Sequence, residues 1–253
     1  TWTGGGTVRL LTGTNLALSG TSAGNNFAGR TLDIQAGASV TVAGEVELDA
    51  GTNAITNAGS LTLSGTRISH AFNTAGSLTL TNSGTLTKTG TGLFQFGSGS
   101  GDVNLINSGS VSVNGGTLNY GSGTGSSTGS FSVASGGIYQ TSGATMTFAA
   151  GSTLSNAGTL ITAGGSANVA MATANFTNSG VIQVSGGSMT ITPDFTTPQL
   201  ILSGGTLNLG GNVNTPLLTQ TGGTLDGAGL LTLTGTGSTW SGSSGTWTGG
   251  GTV

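Results

Sequence analysis

The chain has 253 residues and a net charge of −3, and 51 of its residues are glycine while only 4% are charged. Its four basic residues cannot form the basic stripe that neutralises a run of phosphates, so we expect no nucleic-acid partner. Glycine and hydroxyl residues interrupt every apolar run well before the about 20 residues of a membrane-spanning helix, so we expect no membrane insertion of this segment.

Short strand motifs recur along the chain. Writing Φ for an apolar residue, the pattern is N-[SA]-G-x-Φ-x-Φ followed by G-G-x-Φ. Its copies, in chain order, are NAGSLTLSGTRI from Asn57, NSGSVSVNGGTLNY from Asn107, TGSFSVASGGIYQ from Thr128, NAGTLITAGGSANV from Asn156, NSGVIQVSGGSMTI from Asn178, TPQLILSGGTLNL from Thr197 and TPLLTQTGGTLDG from Thr215. The alternation of apolar and polar residues predicts short β-strands with every second side chain on the same face.

The spacing of these copies predicts a β-solenoid. Asn57, Asn82 and Asn107 recur at a constant interval, and the glycine pairs that end at Gly187 and Gly205 recur at a shorter one. These intervals define a tandem unit of about 18–25 residues with two or three short strands, which is the size of one solenoid coil rather than of a hairpin. In an antiparallel sandwich successive strands need not resemble one another, whereas in a solenoid each residue stacks on its equivalent in the previous coil. We therefore predict that residues 1–253 form a single parallel β-solenoid of about eleven coils.

Each predicted coil assigns a role to its residue types. The apolar pairs, such as Val111 and Val113, point into the coil, and the Ser and Thr residues between them face solvent. Glycines supply corners with positive φ. The asparagines that recur at a corner suggest a ladder in which side-chain amides hydrogen-bond from coil to coil. Ordinary turn-forming asparagines explain the same pattern equally well.

The octapeptide TWTGGGTV occurs twice, at residues 1–8 and at residues 246–253. The second copy predicts a longer period, in which residues 246–253 restart the motif of residues 1–8. Local duplication is the alternative, because STWSGSSGTWTGGG repeats the motif around Trp240 and Trp247. At about 4.8 Å between stacked strands, one long period forms a rod of roughly 50 Å. Neither end has the polar pattern of a capping repeat, so we expect further coils to cover both ends, within a longer chain or by end-to-end stacking.

Several segments resemble a known family of repeats. LTLTGTGSTWSG, LSGGTLNLGG and NSGSVSVNGGTLNYGSG are similar to the passenger repeats of Gram-negative autotransporters and of the filamentous-haemagglutinin-like exoproteins of two-partner secretion. The resemblance covers most of the chain and is carried by degenerate, low-complexity motifs. It implies a right-handed parallel β-helix that is secreted and displayed at the surface of a Gram-negative bacterium, where it serves adhesion or matrix formation.

The strongest cluster of ionisable residues is GEVELDAG. Glu45, Glu47 and Asp49 alternate with apolar residues and so project from one strand face. Three such carboxylates can gather Ca²⁺, which prefers oxygen ligands, but an exposed, solvated strand face is the simpler interpretation. Asp33 adds to the negative potential if it lies one coil away. Because acid–base catalysis needs a better-defined pair of groups, we assign no catalytic, cofactor-binding or metal-binding residue and expect a protein that is not an enzyme.

Two further motifs carry weaker signals. GSGSGD at residues 97–102 is similar to a calcium-binding glycine–aspartate repeat, but a single copy cannot share ions between successive coils. His70 is the sole histidine, and it has no Cys or regularly spaced carboxylate nearby to complete a metal site or a catalytic triad.

Hydroxyl and aromatic residues leave two binding alternatives open. Thr-x-Thr pairs in LTLTNSGTLTKTGTG and LTLTGTG are of the kind that binds ice on flat solenoid faces, but the pairs do not recur at a fixed position in the repeat, which favours simple solvation of the strands. Aromatic platforms for carbohydrate are the second alternative. The candidate residues are Trp2, Tyr120, Tyr139, Trp240 and Trp247.

These patterns together predict an extracellular structural fibre or adhesive stalk built by continuous solenoid stacking. Its expected partners are copies of itself, joined in tandem or end to end, with surface glycans as further partners, and no cofactor is expected. Low charge also favours lateral bundling of rods. The alternative is a cell-surface module that binds a specific glycan or receptor, which needs a localised patch of outward aromatic residues or carboxylates.

Overall fold

The computed structural model describes residues 5–21, 26–70, 76–98, 101–241 and 245–251. Within these ranges the chain is an all-β solenoid, and every pair of neighbouring strands is parallel. Successive strands lie on three faces in turn, and each strand pairs with its equivalent in the next coil. The predicted parallel β-solenoid is therefore confirmed.

Face 1 is a twelve-stranded sheet, face 2 is an eight-stranded sheet followed by a three-stranded sheet, and face 3 is an eleven-stranded sheet. The strands of face 1 are Gly6–Leu10, Arg30–Ile34, Gly51–Asn57, Gly76–Asn82, Val103–Asn107, Thr124–Ser127, Thr145–Phe148, Ser166–Val169, Ser188–Ile191, Thr206–Leu209, Thr224–Asp226 and Thr246–Trp247. The strands of face 2 are Asn15–Leu18, Ser39–Val42, Ser60–Leu63, Thr85–Lys88, Ser110–Val113, Ser130–Val133, Thr153–Asn156 and Phe176–Asn178, then Phe195–Thr196, Val213–Thr215 and Leu231–Leu233. The strands of face 3 are Asn26–Phe27, Glu45–Leu48, Arg67–His70, Leu93–Phe96, Gly116–Tyr120, Gly137–Thr141, Thr159–Thr162, Val181–Val184, Leu200–Leu202, Leu218–Gln220 and Thr239–Trp240. A short 3-10 helix, Thr173–Asn175, leads into one face 2 strand.

The pairing register gives the length of each coil. Asn57 pairs with Asn82 of the next coil, 25 residues further along the chain. In one of the shortest coils the amide of Asn212 donates to Asp194, which lies 18 residues before it. The other coils, measured between paired strands of face 1, fall within these limits. The predicted coil size is therefore confirmed, and the turns absorb the variation in length because neighbouring strands stay in register.

The interior is one continuous hydrophobic core that runs along the solenoid axis. Val111 and Val113 point inward with 1% and 0% of their surface exposed, and the serines between and before them face outward, as the alternation predicts. Larger rings fill the middle of the core, where Phe131 contacts Tyr139 and Phe148 edge-on with ring centroids 4.8 and 5.1 Å apart. Phe131 and Tyr139 belong to one coil and Phe148 to the next, so the core is packed both within each coil and between successive coils.

Glycines at the corners serve two different purposes. Gly187 and Gly205 have φ of 66° and 67°, which is the left-handed conformation predicted for corner glycines. Gly84, which follows the corner residue Asn82, does not adopt that conformation. A Cβ atom at Gly84 would lie 2.2 Å from the carbonyl oxygen of Gly59 in the previous coil. The glycine of the N-[SA]-G motif is therefore needed for the close approach of two backbones rather than for its own φ.

Candidate functional site

A ladder of buried amides runs along the corner between faces 1 and 2. Asn57 donates from Nδ2 to Oδ1 of Asn82, and Asn82 donates from Nδ2 to Oδ1 of Asn107, each over 2.7 Å. Asn107 donates in turn to Oγ of Ser127 over 2.9 Å. The second amide hydrogen is used as well, since Nδ2 of Asn82 also lies 3.1 Å from the carbonyl oxygen of Ser110. The predicted asparagine ladder is present at this corner.

A second and shorter ladder lies at the corner between faces 2 and 3. Asn156 donates from Nδ2 to Oδ1 of Asn178 over 2.7 Å. Asn156 ends a face 2 strand and pairs with Val133, so it does not continue the column of Asn107, which ends a face 1 strand. The sequence motif treats both asparagines as copies of one position, although the chain between them spans two coils and part of a third. The motif marks a solenoid corner in general and not one particular corner.

Lys88, the only lysine, is an interior residue that the sequence pattern did not single out. It stacks between Leu63 and Val113 of the neighbouring coils and is 1% exposed. Among the described residues no carboxylate forms an ion pair with it. Its place at the last apolar position of the Φ-x-Φ pair that begins at Leu86 is the signal that identifies it in the sequence.

Backbone carbonyls hold the Lys88 ammonium group at the corner. Nζ donates to the carbonyl oxygens of Thr89, Gly90 and Gly115 at 2.5, 3.2 and 3.3 Å. The aliphatic stem fills the core while the charge reaches the corner carbonyls. Burial lowers the pKa of the amine below its ordinary value of 10.5.

The acidic trio faces a guanidinium group on face 3. Glu45 pairs in register with Arg67 of the next coil, and Nη2 of Arg67 lies 3.1 Å from Oε2 of Glu45 and 3.5 Å from Oε1 of Glu47. Asp49 follows the strand and accepts a hydrogen bond of 3.2 Å from Nδ2 of Asn26. No group of three or more potential metal ligands occurs among the described residues. Two of the three carboxylates, Glu45 and Glu47, thus share Arg67 on a strand surface, and the third accepts a neutral hydrogen bond.

Asp33 does not extend this cluster. It belongs to a face 1 strand, whereas Glu45 and Glu47 lie on face 3. Oδ2 of Asp33 accepts a 2.7 Å hydrogen bond from Nε of Arg9, and Oδ1 accepts one of 2.7 Å from Nε2 of Gln35. The expectation that Asp33 adds to the negative potential of the trio is wrong, because the two groups lie on different faces and Asp33 has its own cation.

Two of the weaker motifs are covered only in part. The glycine–aspartate motif at residues 97–102 includes residues 99–100, which lie outside the described ranges. His70 pairs through its backbone with Leu48 on face 3, and its side chain lies outside the described part of the molecule. The expectations that the glycine–aspartate motif binds little calcium and that His70 forms no metal or catalytic site therefore stay predictions.

The tyrosines are core residues and not carbohydrate platforms, which corrects the sequence interpretation. Tyr120 and Tyr139 are 0% and 3% exposed, and burial raises the pKa of both phenols. Tyr120 donates from Oη to the carbonyl oxygen of Val103 over 2.6 Å and accepts a hydrogen bond from the amide of Leu105 over 3.3 Å. Oη of Tyr139 has no hydrogen-bond partner among the described residues. Trp2 lies outside those residues.

Face 2 presents a regular array of hydroxyl groups, which we call the hydroxyl array. In six successive coils, both outward positions are Ser or Thr. One column is Ser39, Ser60, Thr85, Ser110, Ser130 and Thr153, and the other is Thr41, Thr62, Thr87, Ser112, Ser132 and Ser155. Thr85 and Thr87 are the one Thr-x-Thr pair among these six coils, so Thr pairs do not recur at a fixed position of this face, as the sequence pattern predicts. What recurs at a fixed position is a pair of hydroxyl groups, which the sequence pattern did not identify. Ser replaces Thr in many coils, and unequal turns hide the constant register.

Trp240 and Trp247 stack at the last coil that the structure describes. Their ring centroids are 4.5 Å apart with an angle of 11° between the planes, and the residues are 56% and 38% exposed. Trp247 pairs in register with the buried Leu225, and Trp240 pairs with the buried Gln220. Both tryptophans therefore continue interior columns and not outward ones. Nε1 of Trp247 donates to Oε1 of Gln220 over 2.5 Å.

A cavity that is partly open to solvent adjoins the last described coil. It has a volume of about 130 Å³ and lies beside Trp247. Its lining includes Leu209, Leu225, Gly227, Gly229, Leu231 and Gly249. At the opposite end, Val8 and Leu10 are only partly buried, although they pair with the fully buried Leu32 and Ile34. Both ends of the described solenoid thus expose positions that are core in the coils between them.

Stacked coils, amide ladders and continuous interior columns define the chain as a β-solenoid repeat protein. Comparison with family models, with curated proteins and with solved structures found no match to the chain. In the ranges that the structure covers, no helix has the length and apolar character needed to cross a bilayer.

Proposed function

We propose that this chain is a structural or adhesive repeat of an extracellular fibre or stalk, in which successive units continue one β-solenoid in tandem or end to end. The observation that carries this proposal is the exposed tryptophan pair on interior columns. Trp240 and Trp247 extend the buried columns of Gln220 and Leu225, yet they are 56% and 38% exposed. A further coil laid over them buries both rings.

The opposite end has the complementary character. Val8 and Leu10 present partly buried apolar side chains, and their strand has a free backbone edge on the side away from Arg30–Ile34 among the described residues. An unpaired strand edge is a template for a further strand. Each added coil then contributes its own nearest-neighbour stabilisation, so a long stack is more stable than a short one.

On this proposal the protein is not an enzyme, and its main partner is another unit of the same sequence. Placement at the surface of a Gram-negative bacterium rests on the resemblance of its repeats to autotransporter passengers and filamentous-haemagglutinin-like exoproteins. The uncharged outer positions of face 2 are suited to contacts between neighbouring rods, since little charge repulsion opposes them.

Electron microscopy of the purified chain at increasing concentration tests the proposal. Filaments that lengthen with concentration and rise by roughly 50 Å per unit are expected, from about eleven coils at about 4.8 Å each. Trp247→Lys, which places a charge on an interior column, abolishes them, whereas the outward Thr246→Lys leaves them intact. Two results together contradict the proposal. The unaltered chain stays as discrete rods of one unit at every concentration, and a tandem two-unit chain shows two separate rods instead of one continuous rod.

The exposed tryptophan pair also favours a second candidate, a module that binds a glycan. Stacked indole rings with an exposed surface form a platform for the apolar face of a sugar. Glycan-array binding that is lost in Trp240→Ala, with assembly unchanged, supports this second function. Absence of binding by the unaltered chain to any arrayed glycan argues against it.

A further inference from the structure

Interior positions on faces 1 and 2 follow a constant spacing in the last coils. Met189, Leu207 and Leu225 stack in one interior column of face 1. In each of these coils, the first interior residue of face 2 comes six residues later in the sequence. These pairs are Met189 and Phe195, Leu207 and Val213, and Leu225 and Leu231, all of them buried. The spacing is constant because the corner between the two faces has the same length in these three coils.

Trp247 occupies the next place in the same face 1 column, since it pairs with Leu225. Six residues further along the sequence is position 253, which is the counterpart of Val8 in the repeated octapeptide. Position 253 itself lies outside the described residues. In the first copy of the octapeptide Val8 lies on face 1, where it pairs with Leu32.

Equivalent residues of the two octapeptide copies therefore cannot lie on the same face of the solenoid. To return from Trp247 to face 1, the chain must complete a whole coil, and even the shortest coils take 18 residues. Only six residues separate Trp247 from the counterpart of Val8. In the neighbouring coils of 18 residues, six residues cover one third of a coil.

We propose that each following unit is rotated by one face relative to the unit before it. This inference rests on the proposed continuation of the solenoid from unit to unit. The strand Gly6–Leu10 of the following unit then pairs with Leu231–Leu233 on face 2, and not with a strand of face 1. Val8 lies over Leu231 and Leu10 lies over Leu233.

The backbone at the end of the described chain already leads toward face 2. The amide of Gly251 donates to the carbonyl oxygen of Gly227 over 3.0 Å, just as the amide of Gly229 donates to Leu209 over 2.9 Å in the coil before. Gly229 precedes the face 2 strand Leu231–Leu233 by two residues. Gly251 therefore has the same backbone register as the residue from which the chain enters face 2 in the coil before.

The side chains at the junction fit this arrangement. Leu231 is 2% exposed and Leu233 packs partly buried against the core, so two apolar residues receive Val8 and Leu10 of the following unit. Apolar side chains stacked on apolar side chains continue the interior columns without a gap.

The unrotated alternative returns the following unit to face 1. Its strand Gly6–Leu10 then pairs with Thr224–Asp226, and it displaces Thr246–Trp247 from that position. This arrangement breaks the contact between Nε1 of Trp247 and Gln220. It also requires a coil longer than any other between the paired strands of face 1, whereas the rotated unit keeps the register that Gly251 has already adopted.

Rotation by one face distributes the outer chemistry around the filament. The hydroxyl array lies on face 2 of one unit, and it is displaced by about a third of a turn in each following unit because three faces make one coil. A given side of the filament therefore presents the array once in every three units. At roughly 50 Å per unit, this spacing is roughly 150 Å.

Disulfide formation in a two-unit chain tests this rotation. The chain consists of residues 1–245 followed by residues 1–253, and the absence of native cysteine makes each introduced pair unambiguous. Arg9→Cys in the second unit and Thr232→Cys in the first are outward neighbours on face 2 if the unit is rotated. Stacked parallel residues are about 4.8 Å apart, which is within disulfide reach. Arg9→Cys also removes the ion pair with Asp33 of the second unit, whose other carboxylate oxygen keeps its hydrogen bond from Gln35.

A competing pair reports the unrotated alternative. Thr7→Cys in the second unit and Thr224→Cys in the first are outward neighbours only if the strand Gly6–Leu10 returns to face 1. Thr41→Cys with Thr62→Cys within one unit, which are in register on face 2, sets the yield for a true neighbour. Peptide mapping after mild oxidation measures each disulfide.

The expected result is a yield for the Arg9–Thr232 pair close to that of the Thr41–Thr62 control, with at least a tenfold lower yield for the Thr7–Thr224 pair. The opposite order overturns the rotation while leaving continuous stacking in place. Low yields for both junction pairs beside a normal control overturn the rotation and the proposed stacking together.

Discussion

Asn82 and Asn107 lie one above the other in successive coils, and Nδ2 of Asn82 donates to Oδ1 of Asn107 over 2.7 Å. Both side chains are buried, with 0% and 1% of their surface exposed. Because a buried amide without a partner is expensive, this contact penalises any change in the register of the two coils. The asparagine ladder therefore holds the turns between faces 1 and 2 in alignment along the rod.

Replacing the middle residue of the ladder destabilises the protein strongly. Asn82→Ala removes three inter-coil hydrogen bonds and leaves Nδ2 of Asn57, Oδ1 of Asn107 and the carbonyl oxygen of Ser110 without these partners. We therefore expect a loss of about 3 kcal/mol in the free energy of unfolding. Asn114→Ala, at an exposed turn position, is the control and changes stability by less than about 0.5 kcal/mol. Urea denaturation followed by circular dichroism measures both, and equal midpoints for the two variants contradict the role of the ladder.

The corner glycine next to the ladder is sensitive to a single methyl group. In Gly84→Ala the new Cβ atom meets the carbonyl oxygen of Gly59 at 2.2 Å, and the coils must separate locally. We expect a loss of about 2–3 kcal/mol. Gly92→Ala, which meets no atom within 4 Å, is the matched control and retains full stability. Thermal unfolding distinguishes them, and tolerance of alanine at Gly84 shows that the coils are not packed this closely.

The two buried tyrosines respond in opposite directions to loss of the hydroxyl group. Tyr139→Phe removes an oxygen that has no partner among the described residues, so we expect a gain of about 1 kcal/mol. Tyr120→Phe leaves the carbonyl of Val103 and the amide of Leu105 without this partner, so we expect a loss of about 1–2 kcal/mol. Denaturation curves of the two variants, each compared with the unaltered chain, give the sign. Changes of the same sign in both variants refute this assignment.

Lys88 makes stability depend on pH below its ordinary pKa of 10.5. Burial lowers its pKa below 10.5 in the folded protein, so the unfolded chain holds the proton more tightly than the folded chain. Stability therefore rises as the pH increases through the lowered folded pKa toward 10.5. Lys88→Met removes the buried charge and is expected to be more stable at pH 7 by about 1 kcal/mol.

The advantage of Lys88→Met over the unaltered chain shrinks as the pH approaches 10.5, because the native lysine is then neutral as well. Urea midpoints of the two proteins between pH 7 and pH 10.5 measure this convergence. Adding Thr87→Lys to Lys88→Met restores the net charge at an outward position. The urea midpoint of this double variant is expected to stay as independent of pH in this range as that of Lys88→Met alone. A constant difference between Lys88→Met and the unaltered chain at all pH values is incompatible with a buried titrating amine.

The alternation of apolar and polar residues was sufficient to identify the solenoid. Val111 and Val113 are buried as the Φ-x-Φ pattern predicts, and coil lengths read from sequence spacing agree with the strand register. The amide ladder was one of the two interpretations that the repeated asparagines left open, and the structure shows that it forms. These features are accessible because every coil makes the same contacts with its neighbours, so a pattern that is local in sequence describes the whole fold.

Placement on a particular face was not accessible in the same way. The motif gives Asn107 and Asn156 the same context, yet they lie at different corners. Asp33 and Glu45 belong to different faces, and the position of Arg67 beside Glu45 is set by the register of two coils. The hydroxyl array was overlooked because Ser and Thr are interchangeable there while turn lengths vary.

The sequence by itself determined that the chain is a parallel β-solenoid, how long its coils are and which side chains point inward, because side-chain alternation and periodic burial are properties of consecutive residues. Only the tertiary structure decided which residues are neighbours across coils, including the carbonyls around Lys88 and the stacked pair of Trp240 and Trp247. The physical reason is that each coil has three turns of unequal length. The number of residues in each turn is determined by how the coils pack on one another, and the local sequence pattern does not show it.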